Sequence, residues 1–537
     1  MASEDLYETE YEIGQDNIQK FGMDVHNPVF LISAALVLIF VVGTLLVPDW
    51  AQSVFQSARG WSISNFDWLF LGAGNIFVIF CLVLILLPLG KIRIGGQDAK
   101  PEFSTVSWFA MLFAAGMGIG LMFWSVAEPL GYYTNWYGTP LGVEPNTPEA
   151  ARAAMGATMF HWGLHPWAIY AVVGLSLAFF SYNKGLPLTI RSAFYPLIQD
   201  RSWGAFGNLV DIVAVLATLF GLATSLGFGA QQAAGGLNFL FGIGGEDAGA
   251  MTTEVAIIIA VTAIAVFSVV RGMDGGVKLL SNINMGIAAV LLAFVILAGP
   301  TAAIFSWIGT TATAYIENIV PLSVWFGRDD GSFMHDWTVF YWAWWISWSP
   351  FVGMFIARVS KGRTVRQFVI AVLLVPTLVT MVWMSTFGGA GLEQAISGTG
   401  ALAEGIGDYT LTMFQMLAEL PLATITSVIA ICLVLVFFIT SSDSGSLVID
   451  SITAGGKIDA PVPQRIFWAV IEGVVAGVLL FVGGEAALSA LQAAAVTVGL
   501  PFTLVLLAMC VALYLGLQHE WRYVINGSGA ERTEAAE

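Results

Sequence analysis

Stretches of roughly twenty apolar residues, each closed by a short polar segment, recur along the whole chain; that is the length an α-helix needs to cross a hydrocarbon core. Twelve such runs can be laid out: 28–48, 66–90, 104–126, 152–181, 209–240, 251–270, 276–306, 335–358, 366–388, 421–446, 465–483 and 486–516. The first is not a cleavable signal, because an acidic tail precedes it and it is long enough to span. Between the seventh and eighth runs the pattern changes in kind. Thr310 to Phe326 mixes Ile, Val, Leu and Trp with Glu317, Asn318 and Pro321, then turns at Arg328-Asp329-Asp330-Gly331. This predicts a helix lying on the outer surface rather than a span. A second outer segment, 389–420, is rich in Gly and acidic residues.

Composition agrees with an integral membrane protein: 57% of the 537 residues are hydrophobic and 11% charged, against roughly a quarter charged in soluble domains. With both termini cytoplasmic, 17 of the 20 Lys and Arg fall on inner segments, and only Arg59, Arg152 and Arg328 fall outside. Such a bias sets orientation and supports an even number of spans in a cell inner (plasma) membrane. The net charge of −17 owes much to the tails and outer loops; residues 1–27 hold seven acids against Lys20. It reads as a solvated acidic surface and points to no partner, nucleic acid included. Spans 3 and 8 stand five spans apart with opposite orientation, the inverted repeat common in secondary transporters. The predicted fold is an all-α integral membrane protein with 12 transmembrane helices. Its two five-helix inverted repeats, spans 3–7 (104–306) and 8–12 (335–516), are of the LeuT-like kind. Two peripheral helices (28–90) precede them, an interfacial helix and loop (307–334) separate them, and short tails (1–27 and 517–537) flank them.

The chemistry lies in four segments. Span 8 carries Tyr341-Trp342-Ala343-Trp344-Trp345-Ile346-Ser347-Trp348-Ser349-Pro350-Phe351. Trp344 and Trp348 are i,i+4, and Trp345 and Trp348 are i,i+3, so their rings share one helix face; Trp342 lies off it and is expected to be structural. With no Asp or Glu in the cluster, a box of π faces suits a cation that cannot donate hydrogen bonds, a quaternary ammonium. A lipid-facing anchor or packed core is the alternative. Span 3 reads Ala114-Ala115-Gly116-Met117-Gly118-Ile119-Gly120. A break there is tolerated only where backbone faces a cavity or buried protein; freed N–H groups could take a carboxylate and freed carbonyls a cation. Close helix crossing at small residues is the other reading. In span 4, Trp167 and Tyr170 are i,i+3, and Pro166 would kink the helix, free the carbonyl of Trp162 and bring Trp162 round. His161 and His165 are read as structural, with no third ligand or carboxylate expected near them. Span 5 offers Thr218, Thr224 and Ser225. In span 10, Thr440 and Ser441 could supply oxygens to a hard cation, while Asp443 caps or braces the helix. Cys81, Cys432 and Cys510 lie in apolar runs without metal-type spacing and are expected in the core. No metal site, phosphate loop or nucleophile–base pair supports an enzyme.

Together these segments resemble the betaine–carnitine–choline transporter family over nearly the whole chain, most closely its sodium-coupled glycine betaine symporters. The most specific element is the pairing of Gly-Met-Gly-Ile-Gly with the Trp-rich eighth span. The resemblance implies an aromatic box of Trp344, Trp345 and Trp348, and a substrate path lined by Trp162, Trp167 and Tyr170. Gly116, Met117, Gly118 and Gly120 would face the substrate. A sodium ion (Na+) would be held by Ala114, Met117, Thr440 and Ser441, with Phe437 adjacent. A second would use Thr218 and Phe351, but Leu222 stands where the family has a second threonine, and Thr224 or Ser225 would have to compensate. Gly120 stands where choline-type members carry Asp, which favours a zwitterion bringing its own carboxylate. No Lys or Arg occurs between Arg201 and Arg271, so the built-in cation of the family's exchangers is missing and an added ion is needed. The implied function is sodium-coupled uptake of glycine betaine as an osmoprotectant. Ectoine, proline or carnitine transport is the alternative within the family; an osmolyte-sensing channel or transceptor is the alternative from another class, although no charged ring or polar stripe is evident. The family also implies a homotrimer in membrane lipid, contacting through 310–326. After Leu517 only Arg522 and Arg532 are basic, so weak or absent osmotic activation through that tail is expected.

Overall fold

The computed structural model describes residues 7–116, 118–245, 248–271 and 274–525. Among them the only strands form an antiparallel hairpin, β1 (Asn17–Lys20) and β2 (Met23–His26). The rest is helical: α1 (Val29–Leu46), α2 (Pro48–Leu86), α3 (Thr105–Gly116), α4 (Ile119–Thr134), α5 (Pro148–Trp162), α6 (Leu164–Tyr182), α7 (Ala205–Phe241), α8 (Ala248–Arg271), α9 (Asp274–Ala298), α10 (Thr301–Ser323), α11 (Phe340–Val359), α12 (Val365–Ser397), α13 (Thr412–Ala418), α14 (Ala423–Thr453), α15 (Val462–Gly483) and α16 (Ala487–His519), with short helical turns between some of them. Among the described residues, ten helical segments are long and apolar enough to cross a membrane, so the protein is multi-pass. The twelve-run layout counts two units more: the broken pair α3–α4, whose halves are 12 and 16 residues long, and α11, whose tryptophans lower its hydropathy.

Three segments differ from the sequence reading. The helix expected from Thr310 begins at Thr301, directly after Pro300. It packs on α5, where Arg152 pairs with Glu317 at 2.7 Å and Gly156 lies so close that a Cβ would meet the Ala314 carbonyl at 2.8 Å. The Gly-rich start of the outer segment 389–420 continues the preceding span, since α12 runs to Ser397. Its glycines admit neighbours: a Cβ on Gly388 would meet Pro129 at 2.7 Å, one on Gly389 would meet Trp307 at 2.9 Å, and one on Gly391 would meet Val126 at 2.7 Å. The acidic N-terminal tail is not merely solvated chain: residues 17–26 form the β1–β2 hairpin. Its hairpin is latched to the loop between α14 and α15: Asp24 pairs with Lys457 at 2.5 Å and Asn17 Nδ2 donates to the Ala454 carbonyl at 2.9 Å.

Cys81 and Cys510 are buried, but Cys432 is exposed on α14, contrary to expectation. An apolar span facing lipid needs no polar face, so hydrophobicity alone does not tell inward from outward. Charge pairing sorts cleanly by end. Arg59–Asp336, Arg152–Glu317 and Arg328–Asp330 lie at one end; Lys184–Glu520, Arg191–Asp211, Lys457–Asp24 and Arg465–Asp443 lie at the other.

The helix carrying the tryptophans, α11, is pressed against α6 at a pair of glycines. A Cβ on Gly353 would meet Val173 Cβ at 2.8 Å and the Gly174 nitrogen at 3.0 Å. Because the obstruction is backbone, it cannot swing aside. Gly353→Ala is expected to destabilise by about 1–3 kcal/mol, seen as a lower thermal midpoint of the detergent-solubilised protein; an unchanged midpoint would show that the crossing is loose.

Candidate functional site

Chain breaks build the site. Helix α3 ends at Gly116 and α4 starts at Ile119, with Gly118 extended between them; Met117 lies outside the described residues. The last carbonyls of α3 and the first N–H groups of α4 therefore have no partner within their helices. Gly120 tolerates no side chain, since a Cβ there would lie 2.8 Å from the Trp162 ring and 2.9 Å from the Trp344 ring. Gly118 sits at the edge of Trp348, 3.9 Å by the same measure.

The predicted disruption of span 4 falls at Gly163, between α5 and α6, and not at Pro166. Pro166 is the third residue of α6, where a missing N–H leaves no helix bond unmade. The break is held by Tyr315, whose hydroxyl accepts from the Leu164 N–H at 2.9 Å. It leaves Trp162 at the very end of α5, turned toward the tryptophans of α11.

The indole N–H groups of Trp162, Trp344, Trp345 and Trp348 are committed to protein. Trp345 donates to the His161 carbonyl at 2.9 Å, Trp348 to the Gly221 carbonyl at 3.0 Å, Trp344 to Ser225 Oγ at 3.1 Å and Trp162 to Glu128 Oε2 at 2.6 Å. What remains for a ligand is ring face, which attracts a cation through its quadrupole. Trp344 and Trp345 stack at 4.7 Å and 15°, and Trp162 meets Trp345 edge-on at 4.8 Å. Trp162, Trp167, Tyr170, Trp345 and Trp348 line one small cavity of about 30 Å³ together with Ala115 and Thr380. Its rings would have to part to admit a solute. Trp344 does not reach this cavity; it abuts Gly120, Trp345 and Phe340. Trp342 turns away, its ring stacked on His165 at 5.0 Å and against Gly74 of α2.

A second cavity, about 110 Å³, is lined by Ala114, Phe351, Phe437, Thr440 and Ser441 and shares Ala115 and Trp348 with the first. Hydroxyls, with the unpaired carbonyls at the end of α3, form the oxygen-rich surroundings a hard cation takes. Thr218 is not on this cavity; its hydroxyl is buried and donates to the Ala214 carbonyl at 2.7 Å. The fully buried Leu222 packs directly over Gly445, filling the space a threonine would leave. Of the neighbouring hydroxyls, Thr224 donates to the carbonyls of Phe220 and Leu491, and Ser225 accepts from Trp344 and donates to the Gly221 carbonyl. Asp443 braces α14 to α15 through Arg465 at 3.3 Å.

A model of the betaine/carnitine/choline family of transporters matches residues 28–522. The chain belongs to this family. It is a membrane transporter and not an enzyme. It is 63% identical over 514 residues to glycine betaine transporter 1 of Vibrio parahaemolyticus, covering 95% of this chain and 97% of that one. A glycine betaine/proline/choline/ectoine transporter of the same organism is 59% identical, covering 95% and 91%. A glycine betaine transporter of Bacillus subtilis is 43% identical over 499 residues, covering 92% and 95%.

The transporter also holds residues that sequence reasoning missed. Glu128 of α4 is fully buried. Its Oε2 accepts from the Trp162 indole and from the Tyr341 hydroxyl, each at 2.6 Å. Its Oε1 accepts from the Tyr132 hydroxyl at 2.8 Å and lies 3.0 Å from His161 Nδ1. So a carboxylate does stand beside His161, contrary to the sequence reading. The apolar run was ended at 126, two residues short of it, although α4 continues to Thr134. The available signal was the i,i+4 pair Glu128 and Tyr132. Thr380 of α12 gave no signal: it is one hydroxyl in a long apolar span.

Proposed function

We propose that this transporter is a sodium-driven symporter that takes up glycine betaine as an osmoprotectant. The observation that carries the reading is the wall common to the two cavities. Ala115 and Trp348 face both the aromatic cavity and the oxygen-lined one, so a sodium ion beside Thr440 and Ser441 would fix the wall against which a quaternary ammonium rests. Binding of either would favour binding of the other, the linkage symport requires. Gly120 puts no carboxylate between the rings of Trp162 and Trp344, and Glu128 does not line the aromatic cavity, which supports a zwitterion. The names of the 63% and 43% identical relatives point the same way. In this reading twelve helices form two inverted five-helix repeats behind two extra helices, both termini lie in the cytoplasm, and the chain assembles as a homotrimer in the inner membrane. Alternating access then rocks one repeat against the other around the midplane site.

Tryptophan fluorescence during titration with betaine, with and without sodium, tests the site directly, and uptake into proteoliposomes under an imposed sodium gradient tests the coupling. Accumulation above equilibrium is expected; mere equilibration would point to a channel. Because Leu222 fills the second site, uptake against sodium concentration is expected to give a Hill coefficient of about one; a value near two would overturn the single-ion stoichiometry. A broader range including proline, choline and ectoine is the second reading, favoured by the 59% identical relative's name. Competition by unlabelled solutes separates the two.

A further inference from the structure

At the end opposite the Lys184–Glu520 and Lys457–Asp24 pairs, a cavity of about 290 Å³ lies between the end of α7, the start of α8 and residues 408–411. Its walls carry two carboxylates, Glu254 and Asp408, the Gln231 amide and the hydroxyls of Thr253, Tyr409 and Thr410. No Lys, Arg, His or Cys is among the described residues that line it, and neither carboxylate has a described cationic side chain within ion-pair distance. Asp408 Oδ1 accepts from the Thr410 N–H at 2.8 Å and the Thr410 hydroxyl at 2.7 Å, which leaves Oδ2 available. Gln231 points to a ligand independently of the charges. It is only 6% exposed. Its Nε2 donates to the Tyr409 hydroxyl at 3.4 Å, while its buried Oε1 has no partner. An acceptor kept from water and left unmet is costly, and a cation answers it together with both carboxylates.

Oxygen donors, two of them charged, select a hard cation over zinc or copper, which favour nitrogen and sulfur. A single positive charge would leave one carboxylate uncompensated, whereas a divalent ion matches both. Calcium takes about six to eight oxygens in flexible geometry, while magnesium demands a near-ideal octahedron. Walls drawn from two helices and a loop do not preset an octahedron, and a cavity of this size leaves room for coordinated water. We infer that the cavity is a calcium site, in which Glu254, Asp408 Oδ2 and Gln231 Oε1 hold the ion and water fills its remaining positions. The ion there ties α7 and α8 to the segment between α12 and α13. The site is separate from the oxygen-lined cavity beside Thr440 and Ser441, and its calcium is a structural guest, not a transported one.

Equilibrium dialysis with labelled calcium tests it, on the full-length protein in a non-ionic detergent after bound metal has been removed with EDTA. About 0.1 M KCl screens diffuse attraction of the ion to the acidic surface. Saturable binding is expected with a Kd of about 0.1–1 mM, the range of extracellular calcium modules, and calcium is expected to bind more tightly than magnesium. The paired change Glu254→Gln with Asp408→Asn should weaken binding by more than about tenfold, and Gln231→Leu by about fivefold. Thermal unfolding is the second readout: calcium should raise the midpoint of the wild type and leave that of the paired variant at its value in EDTA. Absence of saturable binding below about 10 mM, or an unchanged Kd in the paired variant, overturns the proposal. Equal affinity for magnesium overturns the choice of calcium. If the paired variant unfolds below the wild type in EDTA, Asp408→Asn alone, at an exposed position, is read by the same criteria.

Discussion

Glu128→Ala is expected to abolish solute uptake and to destabilise the protein by about 3–5 kcal/mol, the cost of removing one partner from a buried ionic network. Two donors, the Trp162 indole and the Tyr341 hydroxyl, would lose their acceptor at once, while the Tyr132 hydroxyl would be left with His161 Nδ1 at 2.9 Å. Tyr341 is fully buried and has no water to turn to. Trp162 would then be free to turn its ring out of the aromatic cavity it lines. Glu128→Gln separates position from charge. Its amide has one acceptor oxygen in place of two: at the Oε2 position that oxygen keeps both 2.6 Å bonds, so Tyr132 and His161 must face an NH₂ donor instead of Oε1, yet the volume is kept. That variant should fold, transport with a raised KM, and show an altered tryptophan emission. Thermal unfolding and uptake of both variants check this. Wild-type uptake by the alanine variant would remove Glu128 from any role at the site.

The second large effect is expected at Trp348, the residue whose ring belongs to both cavities. A desolvated cation–π contact is worth about 2 kcal/mol, so Trp348→Ala should weaken betaine binding about thirtyfold. It should also flatten the dependence of that affinity on sodium, because the surface shared by the two guests is gone. Trp344→Ala is the contrast. Its ring stacks behind Trp345 and crowds Gly120 but does not line the cavity, so its effect on affinity should be smaller and the sodium dependence should persist. Betaine titrations of both variants at several sodium concentrations decide the matter. Equal losses in the two would mean that the aromatic stack acts as one unit.

Much of this organisation was legible in the sequence, for reasons that can be named. Glycines at 116, 118 and 120 cannot hold a helix at mid-membrane depth without a purpose, and four tryptophans in seven positions exceed what an interfacial anchor needs. Both signals are local and read without neighbours. Legibility ended where a residue's meaning depends on what lies across from it. The glycines at 388, 389 and 391 look like the end of a span but are contact points within α12 for Pro129, Trp307 and Val126. Glu128 looks like the edge of a span, yet its partners come from α5 and α11, up to 213 residues away. Cys432 looks like core and is not. Trp344 and Trp345 are adjacent in sequence, and only the position of α5 decides which of them faces the cavity.

Under the sodium coupling proposed above, the packing of Leu222 over Gly445 carries a consequence for how steeply a cell could concentrate the solute. Each sodium ion entering with a neutral zwitterion brings one charge down the membrane potential, about 2.3 kcal/mol per 100 mV, and about 1.4 kcal/mol more for a tenfold sodium gradient. One ion therefore sustains an accumulation ratio of roughly 500. A threonine-bearing site for a second ion would square that ceiling and also demand twice the sodium extrusion for every molecule retained. On this account a single aliphatic side chain trades reach for economy, a setting suited to surroundings where sodium is abundant and the solute is not scarce.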